Sequence, residues 1–521
     1  MPRTLLVDAV GSCIAIDLSG LDEGDEAAVR AAWGDAAADA AAAPIATVTP
    51  GGAGRAQMLS DLSQQVTLAA IEAARGRAWM LHAAGVATAD GCVVVMVGPS
   101  GRGKTTASRA LGAVYGYVSD ETVAIDADGR VWPYRKPLSV IEDPEAPKTQ
   151  LPPSALGLQP LPDAELRVAA VVLLDRDERH PEQPVVEVTD VGDAMSDLVS
   201  QTSFLHDQAA GLRFIAALAA ATGGIRTVKY REATSLPAVI AELARPAAPI
   251  VLPPVITHRA AAAVDGAQGG VADARHAVAD ETQPASMDVT RGGVADAARG
   301  GVADDARRAV ADETQPASVD GPRSDVAESR AGPAHEPRFS RVDVADEVAL
   351  EDPDRAGILT VRADGRGYVT VLGGIAPAVW RAAHGATFAQ LVDAAVAAYD
   401  EPEGSDAGAA VLVAVGQLLD AGLLTSDEPV YLRRKDVAWV DSGDRIVALP
   451  LSPGPDAQLA QPAALTGSAA VIWEWLEDPV TMTQLVARAT EAAGMDAAAE
   501  VAGQVQAFVA GLVESRLVQA Q

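Results

Sequence analysis

Cysteines and aromatic residues are scarce in this chain of 521 residues. Two cysteines, Cys13 and Cys92, lie in different segments without a CxxC partner, and Phe, Trp and Tyr together make up 4%. The cysteine pattern argues against a disulfide framework or a structural zinc site, and it favours a reducing compartment. Since 49% of the residues are apolar, the chain can still fold, with cores built from aliphatic side chains and alanine.

Positive charge is also in short supply. Asp and Glu outnumber Lys and Arg by 71 to 40, so the formal net charge is −31. Nucleic acids and anionic membranes require clustered Lys and Arg, so we expect neither as a partner, whereas a basic peptide would be attracted. No apolar run approaches the roughly 20 residues of a membrane-spanning helix. Asp8 interrupts the apolar N-terminal run, which does not fit a signal peptide, so we expect a cytoplasmic protein.

Large side chains are missing from one long internal segment. Between Arg259 and Pro337 there is no Leu, Ile, Phe, Tyr or Trp, and the decapeptide AVADETQPAS occurs twice, at 277–286 and 309–318. A segment of this composition cannot bury enough surface to offset the entropy that is lost on ordering. The sequence therefore predicts a disordered repetitive linker over 251–340 between two folded halves.

Helix and strand patterns alternate in the N-terminal half, which predicts an α/β fold. We expect an N-terminal α/β segment over 1–75 and a P-loop domain over 76–250. The stretch 194–222 has a helical pattern throughout, so the sequence predicts helical structure across it.

The motif GPSGRGKTT at 98–106 follows the apolar run CVVVMV and precedes a helical pattern. It matches G-x-x-x-x-G-K-[ST], in which glycines let backbone N–H groups surround phosphates, the lysine neutralises phosphate oxygens and the threonine hydroxyl holds Mg²⁺. The strand before it and the helix after it favour ATP binding, and a decayed loop without a ligand is the alternative. The predicted nucleotide-binding residues are Gly98, Pro99, Ser100, Gly101, Arg102, Gly103, Lys104, Thr105 and Thr106.

A phosphoryl-transfer site also needs acidic side chains for the metal ion and the nucleophile. Two positions compete for this role: Asp175, at the end of the apolar run VAAVVLL, and the pair Asp120 and Glu121, after the predicted P-loop helix. Each also has a plain structural interpretation, Asp175 as a solvated charge at a strand end and Asp120 as a turn residue. The pattern alone leaves the choice open.

Residues 81–126 carry a His-Ala step one strand before the P-loop and an acidic pair shortly after it. In these motifs the chain resembles the HPr kinase/phosphorylase family, whose core is similar to phosphoenolpyruvate carboxykinase, over about residues 70–245. The resemblance implies ATP and Mg²⁺, with Lys104 as a charge clamp, Asp120 as the base for an acceptor hydroxyl, and His82 as a further catalytic residue. A buried strand histidine without a chemical role is the alternative for His82.

The chain departs from that family at two points. The second acid, which the resemblance implies as a metal ligand together with Thr105, is Glu121 rather than aspartate, and the downstream Glu before an Arg-Gly step has no counterpart. These departures favour the kinase-like relatives of peptide natural-product clusters, some of which phosphorylate a serine of a precursor peptide. Relatives of this fold often form hexamers, so a homo-oligomer is one assembly that the resemblance implies.

The two segments that follow the linker match each other. Each has strand patterns and then three helical patterns, with the same Leu-to-Trp spacing, a T-x-x-Q helix start and a leucine-rich closing turn. The matching stretches are Leu372–Trp380 and Leu465–Trp473, Thr387–Gln390 and Thr481–Gln484, and LLDAGLL (418–424) and LVESRLV (512–518). We predict tandem α+β modules of winged-helix-like type over 341–432 and 433–521. A DNA-binding role is not expected, because the second helix of the first module lacks basic residues, and both tryptophans are expected in the core.

Through these features each module resembles PqqD, a small peptide-chaperone family also called RiPP recognition elements, at about 345–426 and more weakly at 445–520. The resemblance implies that the leader of a precursor peptide binds as an added strand at an exposed sheet edge, expected here near 357–363. The predicted peptide-binding residues are Gly357, Ile358, Leu359, Thr360, Val361 and Arg362. Arg516 replaces Gly422 in the closing turn, which leaves a structural role open for the second module.

Two functions fit these features. The first is an ATP-binding protein of ribosomally synthesised peptide (RiPP) biosynthesis that captures a leader peptide and phosphorylates a peptide hydroxyl, with the linker raising the local peptide concentration. The second is a non-enzymatic chaperone or scaffold for partner peptide-modifying enzymes, in which ATP is structural or regulatory. A regulatory kinase that acts on a folded carrier protein is a weaker third interpretation.

Overall fold

A computed structural model describes residues 3–52, 54–99, 103–140, 149–254, 275–278, 336–352, 354–400, 406–452 and 461–521. The linker predicted over 251–340 lies largely outside these residues. The chain divides into two compact units: Met1–Thr257, Arg275–Ser286 and Val344–Val371 belong to the first, and Leu372–Gln521 belongs to the second. Among the described residues, none of the helices combines the length and the apolar character needed to cross a lipid bilayer.

Helices and strands occur in both halves. The helices are α1 (Glu23–Ala32), α2 (Arg55–Ala74), α3 (Lys104–Gly112), α4 (Val191–Val199), α5 (Gly211–Ala221), α6 (Leu236–Leu243), α7 (Ala376–Ala382), α8 (Phe388–Tyr399), α9 (Ala407–Asp420), α10 (Ser468–Trp475), α11 (Met482–Ala493) and α12 (Ala498–Glu514). The strands up to the predicted linker are β1 (Thr4–Ala9), β2 (Ser12–Asp17), β3 (Ala46–Val48), β4 (Ala78–Leu81), β5 (Ala83–Ala87), β6 (Cys92–Val97), β7 (Gly116–Ser119), β8 (Val123–Asp126), β9 (Val131–Trp132), β10 (Leu138–Val140), β11 (Thr149–Leu151), β12 (Arg167–Arg176), β13 (Val185–Thr189), β14 (Thr202–Ser203) and β15 (Ile225–Tyr230). The later strands are β16 (Arg275–Val278), β17 (Arg338–Arg341), β18 (Asp346–Ala349), β19 (Ala356–Val361), β20 (Gly367–Leu372), β21 (His384–Thr387), β22 (Leu424–Ser426), β23 (Val430–Arg433), β24 (Val437–Asp441), β25 (Ile446–Pro450), β26 (Ala463–Leu465), β27 (Val480–Thr481) and β28 (Val518–Ala520).

A six-stranded sheet runs through the first unit in the order β13-β15-β12-β6-β5-β7. Strand β12 pairs in parallel with β6 and β15, whereas β5, β7 and β13 are antiparallel to their neighbours. All six residues of β6 are buried. The unbroken apolar run CVVVMV is explained by this position, because a central parallel strand is covered on both faces. The mixed α/β architecture predicted for the N-terminal half is confirmed.

The N-terminal segment shares a core with the strands that follow it. Ile14 of β2 and Val66 of α2 belong to the same buried apolar cluster as Met80 of β4 and Tyr134. Residues 1–75 therefore contribute to the compact unit that also contains the P-loop.

The helical structure predicted across the whole of 194–222 is wrong at its centre, because α4 and α5 are separated by a break. Thr202 and Ser203 form β14, which pairs with β4, and Phe204 follows with a left-handed φ of 55°. The Thr202 hydroxyl accepts a 3.0 Å hydrogen bond from Trp79 Nε1. Pairing with a strand more than a hundred residues earlier thus overrides the local helical pattern.

Strands β18, β19 and β20 pack in the first unit although they lie beyond the predicted linker. Val348 and Leu359 join the apolar cluster that α4 and α5 line. Asp346 is buried, and its carboxylate accepts hydrogen bonds from the backbone N–H groups of Leu212 and Arg213, at 2.9 and 3.1 Å, and from Arg213 Nε at 2.7 Å. It thereby satisfies N–H groups at the start of α5 that have no partner within the helix. The sheet predicted to begin the first PqqD-like module is therefore docked on helices of the P-loop unit.

The second unit contains the helices of two repeats with the same element order. In each repeat a short strand precedes the second helix and another follows the third, and both pair with one earlier strand, in the orders β21-β17-β22 and β27-β23-β28. The predicted capping boxes are present at Thr387–Gln390 and Thr481–Gln484. Trp380 and Trp473 are 1% and 0% exposed, so both are core residues, as predicted.

Candidate active site and peptide-binding edge

The predicted P-loop follows β6, and α3 begins at its lysine, Lys104. Gly103 has a left-handed φ of 89° at the N-terminus of α3, and a Cβ there would come within 3.1 Å of Tyr230 Oη. Glycine is therefore required at this position. Lys104 is only 6% exposed, and its Nζ donates a hydrogen bond to the Gly98 carbonyl oxygen at 2.5 Å.

The first turn of α3 presents hydroxyl groups where an anion would bind. Thr105 and Thr106 are exposed, beside backbone N–H groups that have no partner within the helix. Of the other predicted nucleotide-binding residues, Pro99 is described and exposed, whereas those at 100–102 lie outside the described residues. The described positions fit the predicted phosphate cradle.

The acidic pair predicted after the P-loop helix directly follows β7. Asp120 Oδ1 accepts a hydrogen bond from the Tyr117 hydroxyl at 2.9 Å, and Glu121 Oε2 lies 2.5 Å from Lys136 Nζ. A backbone hydrogen bond of 3.0 Å from the residue after His82 to the Glu121 carbonyl brings the histidine beside the pair. The fold thus joins the end of β4 to the end of β7, next to the P-loop.

The pKa values of this cluster reflect how closely its members interact. Burial lowers the pKa of Lys104 to about 8, although the carboxylates of Glu121 and Asp120 oppose the shift. Burial, together with the charge of Lys104, lowers the pKa of His82 to about 4, so the imidazole is neutral near pH 7. Burial also raises the pKa of Asp120, against the opposing charge of Lys136, which makes Asp120 a stronger base than an exposed aspartate.

Lys136 and Tyr117 are functional candidates that the sequence analysis missed. Burial would lower the pKa of Lys136, but Glu121 and Asp120 raise it above its usual value. Conversely, burial would raise the pKa of Glu121, but Lys136 lowers it. The scarcity of lysine could have pointed to Lys136. Only five of the 40 Lys and Arg residues are lysines, and Lys104 and Lys136 are two of those five.

Asp175, the competing acid, lies near the carboxyl end of β12. Because β12 runs parallel to β6, Asp175 is at the same sheet edge as the P-loop. Its Oδ2 atom lies 3.1 Å from Nε2 of His180. Asp120, in contrast, acts directly on the charge state of Lys104. The charge interaction with Lys104 therefore favours Asp120 as the candidate base.

The protein groups available to Mg²⁺ are few. Within the part of the chain that the structure describes, no group of three or more His, Cys, Asp or Glu could hold a metal ion. Mg²⁺ in nucleotide sites needs only one or two protein oxygens besides phosphate and water oxygens, which suits the exposed hydroxyl of Thr105. The carboxylate of Glu121, the other predicted ligand, is engaged by Lys136.

The predicted peptide-binding strand is not at a sheet edge. In the sheet β16-β20-β19-β18, strand β19 has a neighbour on each side, so Gly357 to Arg362 cannot accept a further strand. The expectation fails because consecutive strands pair as a meander, which puts the middle strand inside. Gly357 and the three residues after it are accordingly buried.

The side of β20 that faces away from β19 is covered by a strand of the chain itself. Strand β16 pairs antiparallel with β20, from Arg275 opposite Val371 to Val278 opposite Tyr368. The sequence RHAV of β16 recurs as RRAV at 307–310, in the second copy of the linker repeat. Strand β16 thus occupies the outer side of β20, and another strand could pair there only in place of β16.

The second repeat has the same turn geometry as the first, although one non-glycine residue there adopts a left-handed backbone conformation. Its sheet has the order β24-β25-β26, in which β26 corresponds to β20. In the turn after the third helix, Gly422 has a φ of 69° and Arg516 a φ of 60°. A left-handed conformation costs a non-glycine residue roughly 1–2 kcal/mol. The turn is therefore retained at the expense of stability.

Comparison with protein families identifies a segment of the second repeat. Residues 463–518 match the family described as coenzyme PQQ synthesis protein D (PqqD). This stretch contains the three helices α10, α11 and α12, so the predicted PqqD-like region of the C-terminal half is confirmed. The match falls on the repeat whose likeness the sequence analysis judged weaker. The first repeat shares its element order and capping boxes.

Several solved structures are similar to the chain, and one of them is a kinase/phosphatase. No curated protein matches the chain. The chain is similar to the Hpr(Ser) kinase/phosphatase from Coxiella burnetii, with 13% identity, coverage of 32% of this chain and 92% of that chain, and a TM-score of 0.19. The kinase-like interpretation therefore rests on the motifs and on the contacts of the site.

Proposed function

We propose that this protein binds Mg·ATP at the P-loop, holds the leader of a ribosomally synthesised precursor peptide at a PqqD-like sheet edge, and phosphorylates a hydroxyl of that peptide. The observation that carries the proposal is the cluster beside the P-loop, in which the buried Lys104 interacts with the half-buried Asp120. A strand-accepting sheet lies in the same compact unit. The proposed base, phosphate clamp and peptide position therefore belong to one compact unit, which supports the kinase.

The chemistry follows from the charges of the cluster. Asp120, with its raised pKa and its orientation fixed by Tyr117, accepts the proton of the peptide hydroxyl. The hydroxyl oxygen forms a bond to the γ-phosphorus while the bond to the β–γ bridging oxygen breaks, and ADP leaves. Lys104, at the start of α3, neutralises the charge of the phosphate oxygens. Mg²⁺, held by the Thr105 hydroxyl, would supply further neutralisation of the phosphate charge.

Binding of the leader as an added strand would allow one sheet to bind leader peptides of different sequence. Backbone hydrogen bonds to β20 provide affinity that does not depend on side chains, and alternate side chains provide selectivity. The net charge of −31 favours a basic leader through long-range attraction. A precursor peptide would occupy the position that β16 takes along β20.

A non-enzymatic chaperone is the second candidate, and one observation favours it. The family match concerns PqqD, a peptide-binding family in the resemblance described above, whereas the residue implied as a metal ligand, Glu121, is held by Lys136. In that case partner modifying enzymes perform the chemistry and ATP binding is structural or regulatory.

Transfer of the terminal phosphate of labelled ATP to a candidate precursor peptide separates the two functions. We expect label on the peptide with wild type and none with Lys104→Ala or Asp120→Ala. Asp175→Asn, at the same sheet edge but paired with His180, serves as the matched control and should retain transfer. Peptide binding without any label on the peptide would establish the chaperone.

A further inference from the structure

Lys136 is positioned by the backbone around it as well as by its ion pair. It lies between β9 and β10 and is 6% exposed. The residue two positions before it, Tyr134, donates its N–H to the Val118 carbonyl at 3.1 Å. Arg135 Nη1 donates to the Tyr117 carbonyl at 2.6 Å. These bonds fix the segment against β7, so the fold delivers the ammonium group of Lys136 to the acidic pair.

The cluster is balanced in charge without any ligand. Lys104 and Lys136 provide the positive charges, and Asp120 and Glu121 provide the negative ones. A buried ammonium or carboxylate is costly unless it is paired, so the ion pair between Lys136 and Glu121 at 2.5 Å stabilises both groups in place. Without Lys136, two neighbouring carboxylates would face the P-loop with one lysine, an arrangement that suits a divalent cation.

We propose that Lys136 takes the place of a second metal ion at this site, by holding Glu121 as a positioning residue rather than leaving it as a metal ligand. This inference rests on the proposed nucleotide binding. A lysine ammonium is a compact point charge with three donors, and unlike a metal ion it cannot dissociate from the chain. Nucleotide then binds with one divalent cation, at Thr105. Glu121 does not bind a metal ion, and its carboxylate stays ion-paired with Lys136 beside Asp120.

The stoichiometry of a paramagnetic metal tests this directly. Mn²⁺ binding to the full-length protein with a non-hydrolysable ATP analogue is followed by electron paramagnetic resonance. We expect one Mn²⁺ per bound nucleotide in wild type, two in Lys136→Met, and one again in the double variant Lys136→Met with Glu121→Gln. Lys229→Met is the matched control and should bind one, because it removes a lysine of β15 that is ion-paired at 2.7 Å to Glu187 of the exposed strand β13.

Each alternative result has a separate meaning. Two ions in wild type that fall to one in Glu121→Gln would make Glu121 a metal ligand and overturn the inference. One ion in folded Lys136→Met would also overturn it, because Lys136 would then not be what excludes a second cation. If Lys136→Met fails to fold by circular dichroism, Glu121→Gln alone decides: an unchanged single ion supports the inference, and a lost ion refutes it. Wild type without nucleotide affinity would instead refute the proposed function on which the inference depends.

Discussion

Replacing Asp346 with alanine should release the β18–β20 sheet from the P-loop unit. Its side chain is 2% exposed and accepts three hydrogen bonds, two from the start of α5 and one from Arg213. Removing one partner of a buried charge pair costs about 3–5 kcal/mol, because the remaining charge and N–H groups lose their partner in an apolar surrounding. We expect Asp346→Ala to lower the free energy of local opening of this sheet by that amount.

Hydrogen exchange, followed by mass spectrometry of peptides from 344–371, measures this opening. Since about 1.4 kcal/mol is a factor of ten in an equilibrium constant, the amides of β18–β20 should exchange about a hundred- to a few-thousand-fold faster. Amides of β6 should change little. Asp352→Ala, which removes an exposed aspartate of the same hairpin, is the control. Equal exchange in the two variants would refute the view that Asp346 docks the sheet.

Three further predictions concern the base, the edge and the turns. Tyr117→Phe removes the donor that orients the base and should lower kcat for peptide phosphorylation about ten- to a hundredfold, with an unchanged KM for ATP; steady-state kinetics with unaltered kcat would contradict this role. Gly-Ser replacement of 275–278 and 307–310 together should tighten leader-peptide binding in fluorescence anisotropy, because the chain's own strand no longer competes for β20; weaker or equal affinity counts against this edge. Arg516→Gly should stabilise the chain by about 1 kcal/mol and Gly422→Ala should destabilise it by a similar amount in urea unfolding, and shifts of the same sign would disprove the strain argument.

The features that the sequence predicted well are those decided by neighbours along the chain. The run CVVVMV forms a strand because all its residues are apolar, and the motif that follows defines its own loop and helix start. The capping boxes at Thr387 and Thr481 depend on residues three positions apart, so their sequence pattern was sufficient. The buried tryptophans of both repeats followed from the same duplication.

The features that the sequence analysis missed depend on contacts between distant segments. The break at Phe204 exists because β14 pairs with β4, which no local pattern reveals. The true sheet edge could not be inferred from the alternation of β19, since strand order is set by pairing. Lys136 joins Glu121 only after β8 and β9 turn the chain back toward β7. Asp346 docks the first repeat's sheet on α5, although a linker separates the two in sequence.

Intact-mass spectrometry of a candidate precursor peptide, after incubation with the full-length protein and Mg·ATP, measures whether peptide capture and phosphoryl transfer occur together. The central claim is that one compact unit holds both the nucleotide site and the edge that receives the peptide. It predicts the gain of one phosphoryl group by full-length precursor, with loss of that gain when either Lys104 is replaced by alanine or the leader is removed. A leaderless peptide phosphorylated as fast as the full-length one, or a bound full-length peptide that gains nothing, would contradict it.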